Sequence, residues 1–267
     1  MSISFLNKVV VVTGSGSGIG KATAAEFCKS GASVILNGRN EDKLKITTNE
    51  FKALGYSVDY FVADITDLQA CKEMVAFTIK TFGTINVLVT NAGISMNARF
   101  DKMDPEMFKK ILDSNIYGAT SPLFACMDIL KQTKGSVIFI SSLAGIYGMP
   151  TASAYSAGKM ALTALQQSLR SELHEDGIHV GILYVGFTEN DPQKKLMSDD
   201  GAWLPVPERP RLLQQTQNEV AKNVLLMAKN RVNKKTLSVV GVFLSITAGI
   251  APWVIAYTSR LSQKNKE

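Results

Sequence analysis

Short runs of β-branched and apolar residues alternate along this chain with longer stretches whose apolar positions recur every three or four residues. A parallel sheet covered by helices on both faces produces that pattern, because its strands are buried on each side and so are apolar throughout. The strands expected are residues 8–13, 33–37, 57–62, 87–90, 136–141, 179–184 and 236–240. Helices fill the gaps, beginning near Gly18, Asn40, Asp67, Asp104, Ala154 and Asn218, several with Asp or Asn in place to accept the first unpaired N–H groups. The fold class is therefore α/β, a doubly wound parallel sheet of about seven strands. Residues 191–210 break the pattern. Pro192, Pro205, Pro207 and Pro210 interrupt any regular element there, and the stretch reads as a substrate-side loop.

Composition narrows this picture. With 267 residues and 46% apolar content the chain can bury one sizeable core, so a single domain is expected. A net charge of +6 suggests nucleic acid or a membrane surface until it is placed along the chain. Residues 1–228 carry 22 Lys or Arg against 22 Asp or Glu, whereas residues 229–267 carry seven basic residues opposed only by Glu267. The body of the chain is balanced, and no nucleic-acid partner is expected. Cys28, Cys71 and Cys126 form no CxxC pair, and His174 and His179 are the only histidines. Neither a disulfide framework, a metal site nor a His-based triad has material to work with. No export signal is visible at the start, and a reduced, cytoplasmic setting fits these features.

The first strand ends in Thr13-Gly14-Ser15-Gly16-Ser17-Gly18-Ile19-Gly20, and a helical pattern follows at once. Glycines there permit a tight turn, close approach of backbone to a pyrophosphate and close helix packing, while the helix N-terminus offers unpaired N–H groups. A dinucleotide fits such a unit; an ordinary glycine turn is the alternative. The second strand is followed by Gly38 and Arg39, with no carboxylate where the adenosine ribose would be read. A guanidinium pairs with a 2′-phosphate that an Asp would repel, which favours NADP over NAD, although a strand-end arginine can also be merely solvated.

Tyr155 and Lys159 stand four apart at the start of a helix and so project from one face. A phenol of reference pKa about 10 needs roughly 4 kcal/mol of differential stabilisation to titrate near 7, which a neighbouring ammonium helps to supply. Ser142, thirteen residues earlier, follows a strand at the ligand end of the sheet, where its hydroxyl can hold a reacting oxygen. Asn115 interrupts the helical stretch 104–130, where its amide can bond a backbone carbonyl and hold a water next to Lys159. Singly these read as a helix-surface pair, a strand-end serine and a helix irregularity. Together they make a proton relay.

In order and spacing these motifs resemble the short-chain dehydrogenase/reductase family, over about residues 5–190. The gap between Gly14 and Gly18 resembles its reductase and dehydrogenase branch, not the nucleotide-sugar epimerases. Arg39, with Ser17 in place of a second basic residue, resembles NADP-preferring members. The resemblance implies a Rossmann-type fold that holds NADP(H) through Gly14, Ser15, Ser17, Gly18, Ile19, Gly20, Arg39, Asp64, Ile65, Asn91, Ala92, Gly93, Gly186 and Thr188, together with Tyr155 and Lys159. It also implies hydride transfer between the cofactor and a ketone or secondary alcohol by the tetrad Asn115, Ser142, Tyr155 and Lys159. Val185-Gly186-Phe187-Thr188 departs from the Pro-Gly that usually follows the sixth strand in this family, which leaves the path of that loop less defined. A dinucleotide-binding sensor or scaffold without turnover is the competing class, against which an intact tetrad argues. A homo-oligomer, dimer or tetramer, is expected.

Ile94, Met96, Tyr147, Met149, Phe187, Met197 and Trp203 fall in segments that should border the crevice, which points to an apolar or lipid-like substrate or to plain packing under a loop. The chain divides into an oxidoreductase domain, residues 1–240, and a hydrophobic, basic tail, residues 241–267. Residues 236–259 carry no charge, long enough on count alone to span a bilayer. With the last strand taken out, the remainder contains Gly241, Gly249 and Pro252 and is marginal for spanning. A helix lying in the membrane interface and a contact within an oligomer are the other readings.

Overall fold

The computed structural model describes residues 4–189, 194–207 and 214–264. Its principal strands are β1 (Val9–Val12), β2 (Ser33–Gly38), β3 (Val58–Val62), β4 (Val87–Thr90), β5 (Ser136–Ser142) and β6 (His179–Val185), with β7 (Lys195–Met197), β8 (Trp203–Pro205) and β9 (Lys234–Thr236) shorter. The helices are α1 (Gly18–Lys29), α2 (Glu41–Ala53), α3 (Leu68–Phe82), α4 (Pro105–Thr133), α5 (Ser153–Glu172), α6 (Gln217–Asn230), α7 (Val239–Ile250) and α8 (Pro252–Lys264). Seven strands form one parallel sheet in the order β3-β2-β1-β4-β5-β6-β9. The order reverses between β1 and β4, and at such a point the carboxyl ends of the strands open a crevice in which doubly wound folds bind ligands.

Alternate strand residues serve opposite layers, which is why β1 is valine throughout. Val10 and Val12 pack with Phe27 of α1, Leu44 and Phe51 of α2, and Val220 and Val224 of α6. Val11 faces the other way, into a core built with Met74 of α3, Leu123 and Leu130 of α4, and Leu162 of α5. Helix starts follow the side chains that can cap them: Asn40 accepts from the N–H of Lys43, Asp67 from those of Gln69 and Ala70, and Asp104 from that of Glu106. Thr216 and Glu219 close a reciprocal capping box on α6.

Three expectations change. The last strand is Lys234–Thr236 rather than residues 236–240, because the Ser238 hydroxyl accepts the Gly241 N–H and starts α7 at Val239. α4 runs unbroken through Asn115, whose side chain bonds the carbonyl of Ile111 one turn back without breaking the helix. The proline-rich stretch holds an antiparallel hairpin, β7 with β8, between described ends; Pro192 and Pro210 lie outside the described residues. Met197 also bridges to Met96, so the hairpin is stitched onto the segment that leaves β4. The uncharged run is split at Ala251 and Pro252 into two helices, and among the described residues no helix is long and apolar enough to cross a membrane.

Candidate active site

At the switch point the loop from β1 to α1 is held by the loop after β4. Thr13 accepts at its hydroxyl from the N–H groups of Asn91 (3.0 Å) and Ala92 (3.2 Å), and the Asn91 amide donates to the carbonyls of Thr13 (3.0 Å) and Gly14 (3.1 Å). Thr13 is a brace that sequence reasoning did not single out, although it stands in the motif itself. Gly14 and Gly18 have φ of +63° and +56°, a region that favours glycine. At Gly20 a Cβ would collide with the Gly14 carbonyl and stand 2.6 Å from the Asn91 amide nitrogen. Ser15 is buried, its hydroxyl donating to the Val12 carbonyl (2.7 Å) and its N–H to that of Asn37 (2.9 Å). Its polar groups therefore brace the loop instead of facing the crevice.

Helix α1 then opens with Ser17 making no side-chain cap and with no acidic residue in its first turn. The positive end of the helix and its N–H groups, from Gly18 through Gly20, are left for an anion. This cradle, with glycine at every second position from Gly14 to Gly20 and no side-chain cap, fits the pyrophosphate of a dinucleotide. On the adenosine side Arg39 is exposed and its guanidinium lies 3.6 Å from the Asp64 carboxylate. Partial burial works to raise the pKa of Asp64, but hydrogen bonds from the N–H and hydroxyl of Thr66 and the charge of Arg39 outweigh it and hold the carboxyl below its ordinary value. Ile65, next along, is buried with its Cδ1 where a side chain on Gly118 of α4 would stand.

On the other side of the crevice α5 brings up Tyr155 and Lys159 together. Lys159 is buried, donates to the Ile140 carbonyl (3.0 Å) and places its Nζ 5.7 Å from the centre of the Tyr155 ring. Burial, and secondarily the charge of Lys194, lowers the Lys159 pKa from 10.5 to about 8. Lys194, the first of two adjacent lysines in a proline-rich stretch, carries no sequence signal for that influence. Gly158 allows α5 to press on α4 at Asn115, since a Cβ there would sit 2.8 Å from the Asn115 Cβ. The Asn115 amide nitrogen donates to the carbonyls of Ile94 (2.9 Å) and Ile111 (2.8 Å). Its oxygen is buried without a hydrogen-bond partner among the described residues, and both that oxygen and the Lys159 ammonium flank Gly93. An orphaned acceptor beside a buried ammonium is a place for a bridging hydroxyl or water.

Ser142 ends β5 at the same edge, half-buried, its hydroxyl accepting from the Ala144 N–H at 3.3 Å and retaining its own proton to donate. The turn Leu143–Gly145 that follows packs on α5. Gly186 leaves β6 at this edge, and Phe187 and Glu189 bond Gln215, bridging Thr188 to it and fixing the chain's path past the crevice. Around Tyr155 the wall is apolar. Ile94, Met96 and Met197 are buried in one cluster with Ile111 and Ala154, against which the Tyr155 ring packs. Met149 packs into the sheet core instead, and Trp203 and Phe187 are the exposed members of the expected set.

The glycine-rich turn into α1, the Tyr155–Lys159 pair beside Asn115, and Ser142 at the end of β5 all belong to the loops and helix starts around one parallel sheet. Residues 8–201 match the short chain dehydrogenase family. The chain is 31% identical over 245 residues to the 3-oxoacyl-(acyl-carrier-protein) reductase of Thermotoga maritima, covering 88% of this chain and 96% of that one. It is 36% identical over 204 residues to the 11-beta-hydroxysteroid dehydrogenase-like 4A of Arabidopsis thaliana, covering 74% and 67%. The solved alcohol dehydrogenase from Thermococcus sibiricus, complexed with 5-hydroxy-NADP, shares the fold at a TM-score of 0.75 and 24% identity over 86% of this chain and 95% of that one. The chain belongs to the short-chain dehydrogenase/reductase family. It is an oxidoreductase of that family, binding a nicotinamide dinucleotide and acting on CH–OH and C=O groups.

Proposed function

We propose that this enzyme interconverts a secondary alcohol and a ketone with NADP(H), on an apolar or lipid-like substrate. The observation that carries the reading is the buried Lys159 ammonium beside the Tyr155 ring, with the unpaired Asn115 oxygen across Gly93 from it. When bound, the nicotinamide supplies or accepts the hydride at the carbinol carbon. Ser142 donates to the substrate oxygen and polarises it. Tyr155 gives that oxygen its proton in reduction and removes it in oxidation, the positive charge of Lys159 stabilising the phenolate between turnovers. Lys159 would also hold the nicotinamide ribose, and Asn115 would hold the water through which the proton returns.

The preference for NADP rests on Arg39, which stands directly after β2 where a ribose-reading carboxylate is expected and is exposed enough to turn from Asp64 to a 2′-phosphate. The neighbour solved with an NADP derivative and the hydroxysteroid dehydrogenase-like relative support the cofactor and the apolar substrate respectively. The cluster of Ile94, Met96 and Met197 around Tyr155 supports the latter from the chain itself. A cytoplasmic homo-oligomer, dimer or tetramer, touching the membrane only peripherally through its tail, completes the proposal. Exposed Tyr117 and Phe124, seven apart on α4, support self-association. The test is a panel of ketones and 3-oxo compounds followed by NADPH and NADH consumption. At least one apolar carbonyl is expected to be reduced, with NADPH bound at least about tenfold more tightly than NADH. Dinucleotide binding with no turnover of any carbonyl refutes the enzymatic reading in favour of a sensor.

A further inference from the structure

α7 follows β9 at the carboxyl end of the sheet and packs on the residues that follow β5 and β6. Ser238, at its start, has its hydroxyl 2.9 Å from where a Cβ on Gly186 would be, and Gly241 has no room for a side chain because Leu143 stands 2.7 Å away. Leu244 packs into the same core as Leu143, Ile146 and Met149, which border Ser142 and the loop after it. The inner face of α7 is thereby fixed to the loops around Ser142 and Gly186.

Its outer face has no partner within the described chain. Val239, Val242, Phe243, Ile246 and Ile250 recur at helical spacing along one stripe, with Val239 88%, Phe243 68% and Ile250 80% exposed. The first four of them line an open apolar groove with Leu237. On α8, Trp253, Tyr257 and Arg260 fall on one face and line a common hollow, the two aromatic rings strongly exposed. No charge of either sign lies between Thr236 and Ser259, while seven Lys or Arg flank that run within residues 229–267 against one Glu. Apolar stripe, aromatic pair and basic flank are the composition of a surface that lies at the boundary of an anionic bilayer. A second copy suits it less well, since α7 is only about 18 Å long and stable interfaces occupy about 800 Å² on each partner.

We propose that α7 seats its Val239–Ile250 stripe in the surface of an anionic phospholipid bilayer, Trp253 and Tyr257 lying at the headgroups, so that the crevice takes a water-insoluble carbonyl or alcohol directly from the lipid. The docking stands on the surface alone, whereas the delivery of substrate rests on the proposed apolar-ketone reductase activity. The stripe that meets the lipid and the face that holds the loops around Ser142 and Gly186 are two faces of one helix.

The test uses the full chain and the pair of substitutions Phe243→Glu and Ile246→Glu, both on exposed side chains. Flotation is measured with phosphatidylcholine vesicles and with vesicles containing roughly one-third phosphatidylglycerol. Reduction is measured for a short water-soluble ketone and for a long-chain methyl ketone dissolved in the same vesicles. The natural chain is expected to float with the anionic vesicles, to be released as salt rises, and to reduce the vesicle-borne ketone. The double variant should lose flotation and at least about tenfold in rate on the vesicle-borne ketone, with the rate on the soluble ketone unchanged within about twofold. No flotation of the natural chain, retention that survives high salt, or loss of self-association in the variant with no change in flotation each overturns the docking. Flotation with equal loss on both ketones overturns the delivery of substrate from lipid. Flotation with no reduction of any ketone leaves the docking standing and refutes the enzymatic reading instead.

Discussion

Replacing Lys159 by Met should abolish turnover and yet make the cofactor-free protein more stable at neutral pH. The ammonium is buried, and burial lowers its pKa from 10.5 to about 8, so the fold disfavours its charge. At 1.36 kcal/mol per unit that corresponds to roughly 3 kcal/mol against the folded state. Methionine removes this penalty but loses the bond to the Ile140 carbonyl and leaves that oxygen unpaired, which takes back about 1–2 kcal/mol. The net gain is about 1–2 kcal/mol, a rise in Tm of a few degrees for a chain of this size. The sign of the pH dependence follows from the lowered pKa. The penalty is fully present below about pH 8, where Lys159 is protonated folded and unfolded alike, and it fades as pH rises from 8 toward 10.5, where only the unfolded chain still binds the proton. The variant's advantage should therefore shrink across that window and reverse near its upper end. Thermal unfolding of both proteins without cofactor, followed by circular dichroism at a series of pH values, reads this directly. A variant less stable than the natural protein at pH 7 by an amount that does not change up to pH 10 refutes the claim that a desolvated ammonium stands beside Tyr155.

Two further outcomes follow from the cofactor cradle. Arg39→Asp should reverse the nucleotide preference, weakening NADPH at least about tenfold while NADH holds or improves, as measured by fluorescence titration; equal affinities in the natural protein already refute the role of Arg39. Gly20→Ala should destabilise the protein by about 1–3 kcal/mol and weaken dinucleotide binding, because the added methyl meets the Gly14 carbonyl and the Asn91 amide, neither of which can withdraw. Gly249→Ala, where a methyl meets nothing within 4 Å, serves as the comparison in urea unfolding, with a gain of up to about 1 kcal/mol from helix propensity expected in place of a loss.

The parallel strands were legible because burial on both faces leaves mostly apolar residues in their middles, as in the four valines of β1. Helix starts were legible where a short acceptor such as Asn40, Asp67 or Asp104 made the cap. The last strand was misplaced because Val239 and Val240 have the stronger β propensity, yet a serine cap and an apolar helical stripe turned them outward and left the pairing to Lys234–Thr236. Asn115 suggested a broken helix since its side chain competes for backbone partners, but it took the Ile111 carbonyl within an intact helix and the Ile94 carbonyl across the loop. Tyr155, Lys159 and Asn115, which the fold brings together, stand in motifs that were legible in the sequence. That Ser15 turns inward, that Lys194 bears on Lys159 and that the Asn115 oxygen is left unpaired depend on three-dimensional neighbours that no local spacing encodes.

The central claim is that Tyr155 moves the proton at a site that binds the dinucleotide independently of it. The most direct measurement is the rate of NADPH-dependent ketone reduction by the natural protein and by Tyr155→Phe, with NADPH affinity determined for both. Loss of the phenolic oxygen alone should bring turnover to background while the dissociation constant for NADPH changes by less than about threefold. A Tyr155→Phe protein that keeps most of its activity contradicts the account.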